Sequence, residues 1–402
     1  MFLVAVLPAL LLSTVTHSSA AEPWYDYYCG RSPPTPIERP VDSTLQSVQL
    51  VFRHGARTSI HDCFPKPVPY QCSTGNLFGL RSGGPILVEK FPKCRAGQLL
   101  EDRASEQFQR LANWVHESYD GWFAQETGHE IGLRSTDIER TLGSMVLLTS
   151  HLLKCGEVES CKNHHVDVEE WIGDPFAMNR FCPAAQDLER EFHLSEIAQR
   201  LASDETAERC RAQWERQIGR PFIEGSMDCL LSARCAEVPI PANTSGLFEC
   251  TVDQIMAEVR AKWGFTDSDY QPKALKAAGI YAAPLLAEIL YRLNYYKAGL
   301  IASHDSTLVA LLQGLAGAAG GKGLWDGTWP KYAEVVAIEK RLLSSGDTVI
   351  RIVRDGKEIL TVPIEDFEAL AKNDECVRGF AIDYQSKAES VLFGEKQYES
   401  EF

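Results

Sequence analysis

Apolar positions along the chain fall into short continuous runs separated by stripes at helical spacing. Residues 45–52 (LQSVQLVF) form a run rich in Leu, Val and Phe and predict a first, buried strand. Over 97–123, Leu99, Leu100, Phe108, Leu111, Trp114 and Val115 recur at helical spacing. Residues 130–133 predict a second short strand. After it, Ile138, Leu142, Met145, Val146, Thr149 and Leu153 line one side of a helix ending near Lys154, with Gly156 placed to stop it. Thr136 and Glu139 stand at capping-box spacing for its start. Residues 272–296 predict a helix with internal breaks. Residues 298–303 (AGLIAS) predict a short apolar strand, followed by an apolar helix over 306–315 capped by Asp305 or Ser306. Strands follow at 334–340, 348–354 and 358–362, the last two joined by an Asp355-Gly356 turn. A short helix over 364–372 closes the pattern. Strands alternating with helices predict an α/β fold: a doubly wound, mostly parallel sheet flanked by helices.

Two stretches break this rhythm. Residues 21–44 carry Pro33, Pro34, Pro36 and Pro40 among polar residues and predict an extended leader along the surface. Residues 156–269 hold six of the twelve cysteines and charged helical segments such as 187–216, with no strand series. They predict a mostly helical cap inserted over the site. The expected organisation is a signal peptide at 1–20, an α/β core from 21–155 and 270–402, and the cap at 156–269. Residues 58–96, rich in Gly, Pro and Cys, predict a long crosslinked loop near the site. Within it, Arg81-Ser82-Gly83-Gly84-Pro85 lacks a phosphate-loop pattern and reads as a bare turn.

Composition adds a compartment. The 402 residues are 45% hydrophobic and 24% charged, ordinary for a globular chain. A net charge of -15 argues against a nucleic-acid partner or an anionic membrane surface. The apolar run at 2–12 is too short to span a bilayer, and Ser18 and Ala20 follow at cleavage spacing, so cleavage after Ala20 is expected. With no second long apolar run, the expectation is a secreted or luminal protein of a Golgi- or lysosome-like compartment, without a membrane span. Twelve cysteines then read as disulfides, with Cys63/Cys72 and Cys155/Cys161 as short-loop candidates and the connectivity open. Asn243-Thr244-Ser245 is a glycosylation sequon. Cys155, Cys161, His164 and His165 do not fit zinc-ligand spacing, and the His164-His165 pair reads as exposed. No metal or other cofactor is expected. A free edge strand leaves a homodimer open.

The chemistry gathers at strand ends. Arg53-His54-Gly55-Ala56-Arg57 follows the first strand. Two guanidiniums this close repel unless an anion lies between them, and their forks fit phosphoryl oxygens. Gly55 allows a sharp turn, and His54 would sit beside the phosphorus as nucleophile or acid-base group. Arg134 lies between a strand end and a helix N-terminus, where backbone N–H groups also attract anions. Arg140, a turn into that helix, reads as paired with an acid. His304-Asp305 end the strand at 298–303. In open α/β sheets ligands gather beyond the carboxyl ends of strands, so these groups are expected to converge. Arginines would spread over a phosphoryl group's charge without needing a metal, and Asp305 is the available proton donor.

The R-H-G-x-R motif at 53–57, the L-R-S-T-D-x-x-R segment at 133–140 and the H-D pair at 304–305 resemble the histidine acid phosphatases, the larger branch of the histidine phosphatase superfamily. The resemblance covers nearly all of the chain beyond residue 20. It implies a phosphomonoester substrate and a covalent phosphohistidine at His54, whose other ring nitrogen would bond the Gly55 carbonyl. It further implies phosphoryl binding by Arg53, Arg57, Arg134 and His304, and leaving-group protonation by Asp305, with an acid optimum where Asp305 is protonated. The stretches CRAGQLL at 94–100, Cys182-Pro183 and MDCLLSARC at 227–235 look most like a sugar-phosphate branch of that family, implying the phosphorylated xylose of the glycosaminoglycan linkage region. Lysophosphatidate or inositol phosphates are the alternatives, as is a non-catalytic phosphate- or glycan-binding relative. A mutase-like cytosolic enzyme shares R-H-G but not the signal peptide, the cysteines or the H-D pair. Two departures bear on substrate. Thr58-Ser59 replace the family's Ser/Tyr-Pro, and Gly97-Gln98-Leu99-Leu100 is followed by Arg103 where the family has glycine.

Overall fold

The structure, a computed structural model, describes residues 27–38, 40–72, 78–81, 84–87, 94–119, 121–123, 131–153, 166–169, 174–177, 182–223, 225–240, 246–266 and 269–372. The 1–20 leader, the Asn243 sequon, Cys155/Cys161 and His164-His165 lie outside them, as do Ser82 and Gly83 of the glycine-rich turn.

Nine strands among the described residues form one sheet: β1 (Ser43–Arg53), β2 (Phe78–Arg81), β3 (Gly84–Leu87), β4 (Ile131–Thr136), β5 (Val166–Glu169), β6 (Ala298–Ser303), β7 (Val335–Leu343), β8 (Thr348–Arg354) and β9 (Lys357–Pro363). Their order is β3-β2-β5-β4-β6-β1-β7-β8-β9. From β2 through β5, β4 and β6 to β1 the neighbours run parallel, whereas β7, β8 and β9 form an antiparallel arm. Among the described residues ten helices accompany the sheet: α1 (Glu101–Tyr119), α2 (Glu139–Leu152), α3 (Pro183–Leu194), α4 (Glu196–Ala202), α5 (Glu205–Ile218), α6 (Gly225–Cys235), α7 (Phe248–Lys262), α8 (Gln271–Tyr295), α9 (Asp305–Gly314) and α10 (Ile364–Ala371).

The central strands read as unbroken apolar runs because both faces are covered. Alternation sorts their side chains into two cores. Val48, Leu50 and Phe52 of β1, with Leu300 and Ala302 of β6, pack against α1 and α2. Val51 and Ile301 point the other way, with Val336 and Ile338, against α8, α9 and α10. In the register, Arg53 lies opposite Ser303 and Ser135 opposite Ala302. The carboxyl ends of β1, β6 and β4 therefore share one edge, where the R-H-G and H-D segments emerge.

Several local expectations change. The capping box at Thr136 and Glu139 does not form. β4 runs on to Thr136, Ile138 is the N-cap of α2 without a side-chain bond, and the Thr136 hydroxyl turns to Thr141 and His304. The cap of α9 is His304 rather than Asp305 or Ser306; it forms a reciprocal box with Thr307. α8 is one helix through Pro284 rather than a broken one. By length and composition α8 is apolar enough to cross a membrane, yet 56% of its apolar window is buried, and it serves as a core helix. Val166–Glu169, inside the stretch expected to be helical, joins the sheet parallel to β4.

Disulfides join Cys29–Cys235, Cys63–Cys229, Cys72–Cys94 and Cys210–Cys250. Cys63 thus pairs across 166 residues rather than with Cys72. The sequence has no signal for such a pairing, because the fold, not chain proximity, brings α6 against the segment after Arg57. These bridges are consistent with a secreted or luminal protein. The leader is also more than surface: Tyr28 is fully buried beneath Arg53. Gly55 is required by close approach, since a Cβ there would lie 2.6 Å from the Ala104 Cβ on α1.

Candidate active site

Arg53, the last residue of β1, is fully buried. Its guanidinium lies between the rings of Tyr28 and Tyr332, at 4.7 and 4.2 Å from their centroids. Nη1 donates to the Pro330 carbonyl at 2.6 Å, and Nη2 lies 2.7 Å from both the Tyr28 hydroxyl and Asp305 Oδ2. The β1 and β6 ends are thereby joined through an ion pair. His54 follows, its backbone N–H donating to the Ser303 carbonyl at 3.0 Å. Its Nδ1 lies 2.9 Å from the Gly55 carbonyl. A carbonyl only accepts, so Nδ1 carries the proton and Nε2 keeps its lone pair. The His304 ring is 5.6 Å from the His54 ring. His304 Nε2 lies 3.0 Å from Thr136 Oγ1, and its Nδ1 lies 3.4 Å from Arg140 Nη2. Arg57 Nη1 meets Asp228 of α6 at 2.8 Å and the Thr58 carbonyl at 3.0 Å.

Arg134 is not brought to this group. The pleat sends its side chain to the face of α8, opposite Leu133. There Nε donates to Glu288 Oε1 at 2.9 Å, and Nη1 and Nη2 grip Asp174 at 3.1 and 2.7 Å. Burial works against the Arg134 charge, but Glu288 and Asp174 outweigh it and raise its pKa. Arg140 arrives instead. The second residue of α2, it faces His304 rather than an acid at ion-pair distance. Burial first, then repulsion from Arg57, pull its pKa down to about 10. The buried Nε atoms of Arg53, Arg57 and Arg140 all lack a protein hydrogen-bond partner, whereas that of Arg134 has one. Buried donors of this kind are costly unless something accepts from them. Sequence reasoning missed Tyr28, Asp228 and Arg140; only the R-S-T-D-x-x-R spacing could have pointed to Arg140, since it puts a second arginine at the start of the helix that follows the strand.

Charge sets the protonation states. Burial, then the Arg140, Arg53 and Arg57 charges, hold His54 well below the usual imidazole range. Burial and Arg140 do the same to His304. Both rings are therefore biased toward their neutral forms. Burial alone would raise the Asp305 pKa, but Arg53 and Arg57 outweigh it and hold it at about 2. Arg53 and Arg57 thus favour the ionised form of Asp305 while no anion competes for them. An anion beside Asp305 would compete for Arg53 and raise that pKa, so binding itself would load the proton. Titration calorimetry with orthophosphate near pH 5, in buffers of different ionisation enthalpy, is expected to show proton uptake on binding. Asp305→Asn should lower it.

The same shifts act on stability. Folded His54 and His304 resist protonation, so the unfolded chain binds more protons below the ordinary histidine pKa of about 6.5. Their contribution is present above that pH and lost as pH falls toward the folded values. Melting temperatures without anions should therefore decline from pH 6.5 downward, and phosphate should reduce the decline. A decline indifferent to phosphate would contradict the shared site.

Among the described residues no group of three or more His, Cys, Asp or Glu side chains could hold a metal ion. No family model matches the chain. Similarity is found to testicular acid phosphatase of Mus musculus, 27% identical over 321 residues, covering 75% of this chain and 68% of that protein. Putative acid phosphatase 5 of Caenorhabditis elegans is 24% identical over 343 residues, covering 79% and 70%. Among solved structures, Hafnia alvei phytase matches with a TM-score of 0.52 at 11% identity, over 84% of this chain and 99% of that one. The D. castellii phytase matches at 0.51 and 12%, over 97% of each chain. The chain shares the fold of these phytases. Together with the named acid phosphatases, that fold supports a hydrolase of the histidine acid phosphatase type.

Proposed function

We propose that the chain is an acid phosphomonoesterase working through a phosphohistidine, with no metal taking part. The observation that carries this reading is the Nδ1 contact of His54 with the Gly55 carbonyl, which leaves Nε2 unprotonated at the arginine-lined strand ends. Arg53, Arg57 and Arg140, with His304, hold the phosphoryl oxygens; Arg140 takes the place first expected for Arg134. Guanidiniums in a buried site can supply the charge stabilisation a metal would otherwise give. Nε2 attacks phosphorus, the ester P–O bond breaks, and the alcohol leaves with a proton from Asp305. Water then attacks the phosphohistidine, giving its proton to Asp305 and releasing phosphate.

The CRAGQLL, Cys182-Pro183 and MDCLLSARC stretches favour a sugar ester, with 2-phosphoxylose as the first substrate to test, in the manner of a 2-phosphoxylose phosphatase. The phytase neighbours keep inositol phosphates in the screen, and lysophosphatidate and aryl phosphates stay in it as alternatives left by the family resemblance. A cleaved leader at 1–20, glycosylation at Asn243 and secretion or luminal residence belong to the same reading. Phosphate release from these four substrate classes, measured with chelator present, tests it. Turnover of at least one class is expected. Tight vanadate binding with no turnover would favour a non-catalytic binder.

A further inference from the structure

The catalytic scheme leaves one carboxylate unused. Asp228 places Oδ1 2.8 Å from Arg57 Nη1, while Oδ2 accepts from the Ile60 backbone N–H at 2.8 Å and the Ser59 hydroxyl at 3.1 Å. Both oxygens are held, and the side chain is only 16% exposed. The helix that carries it is clamped by two bridges, one on each side of its C-terminal half. Cys63–Cys229 ties α6 to the segment after Arg57, and Cys29–Cys235 ties it to the leader that supplies Tyr28. Asp228 is thus a fixed negative charge at the phosphoryl site rather than a swinging side chain.

Its effect follows from a charge balance. Arg53, Arg57 and Arg140 face Asp305 and Asp228, and with neutral histidines one net positive charge remains. A phosphate monoester, whose second ionisation lies near pH 6, brings one to two negative charges. One phosphoryl group therefore exhausts the site. Among the described residues, arginines on adjoining segments add little, since Arg95 pairs with Glu139, and Arg31 and Arg103 share Glu237. The whole chain, at -15, repels polyanions at longer range.

From this we infer that Asp228 sets the substrate class: a single phosphoryl group on an otherwise uncharged alcohol or sugar. Its fixed charge disfavours polyphosphorylated esters. The inference rests on the phosphomonoesterase reading and narrows it.

Binding decides it without turnover. Calorimetry at low ionic strength would compare orthophosphate with inositol hexakissulfate, the anion class seen in a Hafnia alvei phytase complex. The full disulfide-bonded chain is used as wild type, Asp228→Asn and Asp228→Glu. Asp228→Asn should raise hexakissulfate affinity about tenfold more than orthophosphate affinity, as removal of one charge near a polyanion predicts. Asp228→Glu should keep the wild-type ratio. An unchanged ratio in Asp228→Asn, or an equal shift in Asp228→Glu, overturns the inference. A second readout needs no variant: wild-type kcat/KM for a monophosphate should exceed that for inositol hexakisphosphate by about a hundredfold or more, the scale of two tenfold steps in transition-state binding, and comparable values overturn it. Orthophosphate binding without turnover of any ester would sink the hydrolase reading alone, and the affinity ratio would still judge Asp228.

Discussion

His54→Ala is expected to lower kcat for an aryl phosphate by roughly four orders of magnitude or more, the scale seen when a nucleophile is removed from a site whose binding groups remain. Binding should survive. Arg53, Arg57 and Arg140 lie on other side chains, so vanadate or orthophosphate affinity should change by no more than about tenfold, one RT ln 10 step. The protein should also keep its fold, because the Gly55 N–H bond to Ser144 and the packing of Gly55 on Ala104 do not involve the His54 ring. Steady-state kinetics, anion titration and a melting curve on one preparation check all three points. Near-normal turnover would remove His54 from the chemistry.

The second large effect separates two arginines six residues apart. Arg140→Ala should cost about two to three orders of magnitude in kcat/KM, as for loss of a group that stabilises transition-state charge. It should barely change the melting temperature, because Arg140 has no buried carboxylate partner and is itself strained by Arg57. Arg134→Ala should do the reverse. It would leave Asp174 buried without its ion-pair partner and Glu288 with Arg292 alone, a loss of about 3–5 kcal/mol. Burial already pushes the Asp174 pKa up to about 6 against the pull of Arg134. Without Arg134 it should take up a proton, so the Arg134→Ala defect should be milder in acid. Activity per folded molecule should stay closer to wild type than in Arg140→Ala. Denaturant melts beside kinetics distinguish the cases, and a stability loss in Arg140→Ala with unimpaired turnover would reverse the assignment.

That pair also shows where sequence reading runs out. β6 and β8 are found at the residues expected, because strands buried on both faces leave an unbroken apolar run. The R-H-G and H-D segments were legible for a related reason, since charged groups directly after such runs stand at a sheet edge. Arg134 and Arg140 belong to the same short segment, and only the pleat decides which reaches the edge. β4 continues three residues past its expected end, which sends Arg134 to the α8 face and starts α2 at Glu139. Asp174 and Glu288 then fix it there, and neither is near Arg134 in sequence. Tyr28 and Asp228 were hidden similarly. A proline-rich leader and a cysteine-bearing helix show no local sign of reaching Arg53 and Arg57. The disulfides that bring them, Cys29–Cys235 and Cys63–Cys229, span 206 and 166 residues.

The account depends most on a covalent bond between phosphorus and His54 Nε2. Rapid quench of the wild-type chain with labelled aryl phosphate, followed by peptide mass spectrometry under alkaline conditions, reads that bond directly. The expected result is an acid-labile, alkali-stable phosphoryl group on the peptide containing His54, formed with a stoichiometric burst of leaving group and absent in His54→Ala. Steady turnover with no trapped phosphoprotein and no burst, or a label on a different residue, would contradict it.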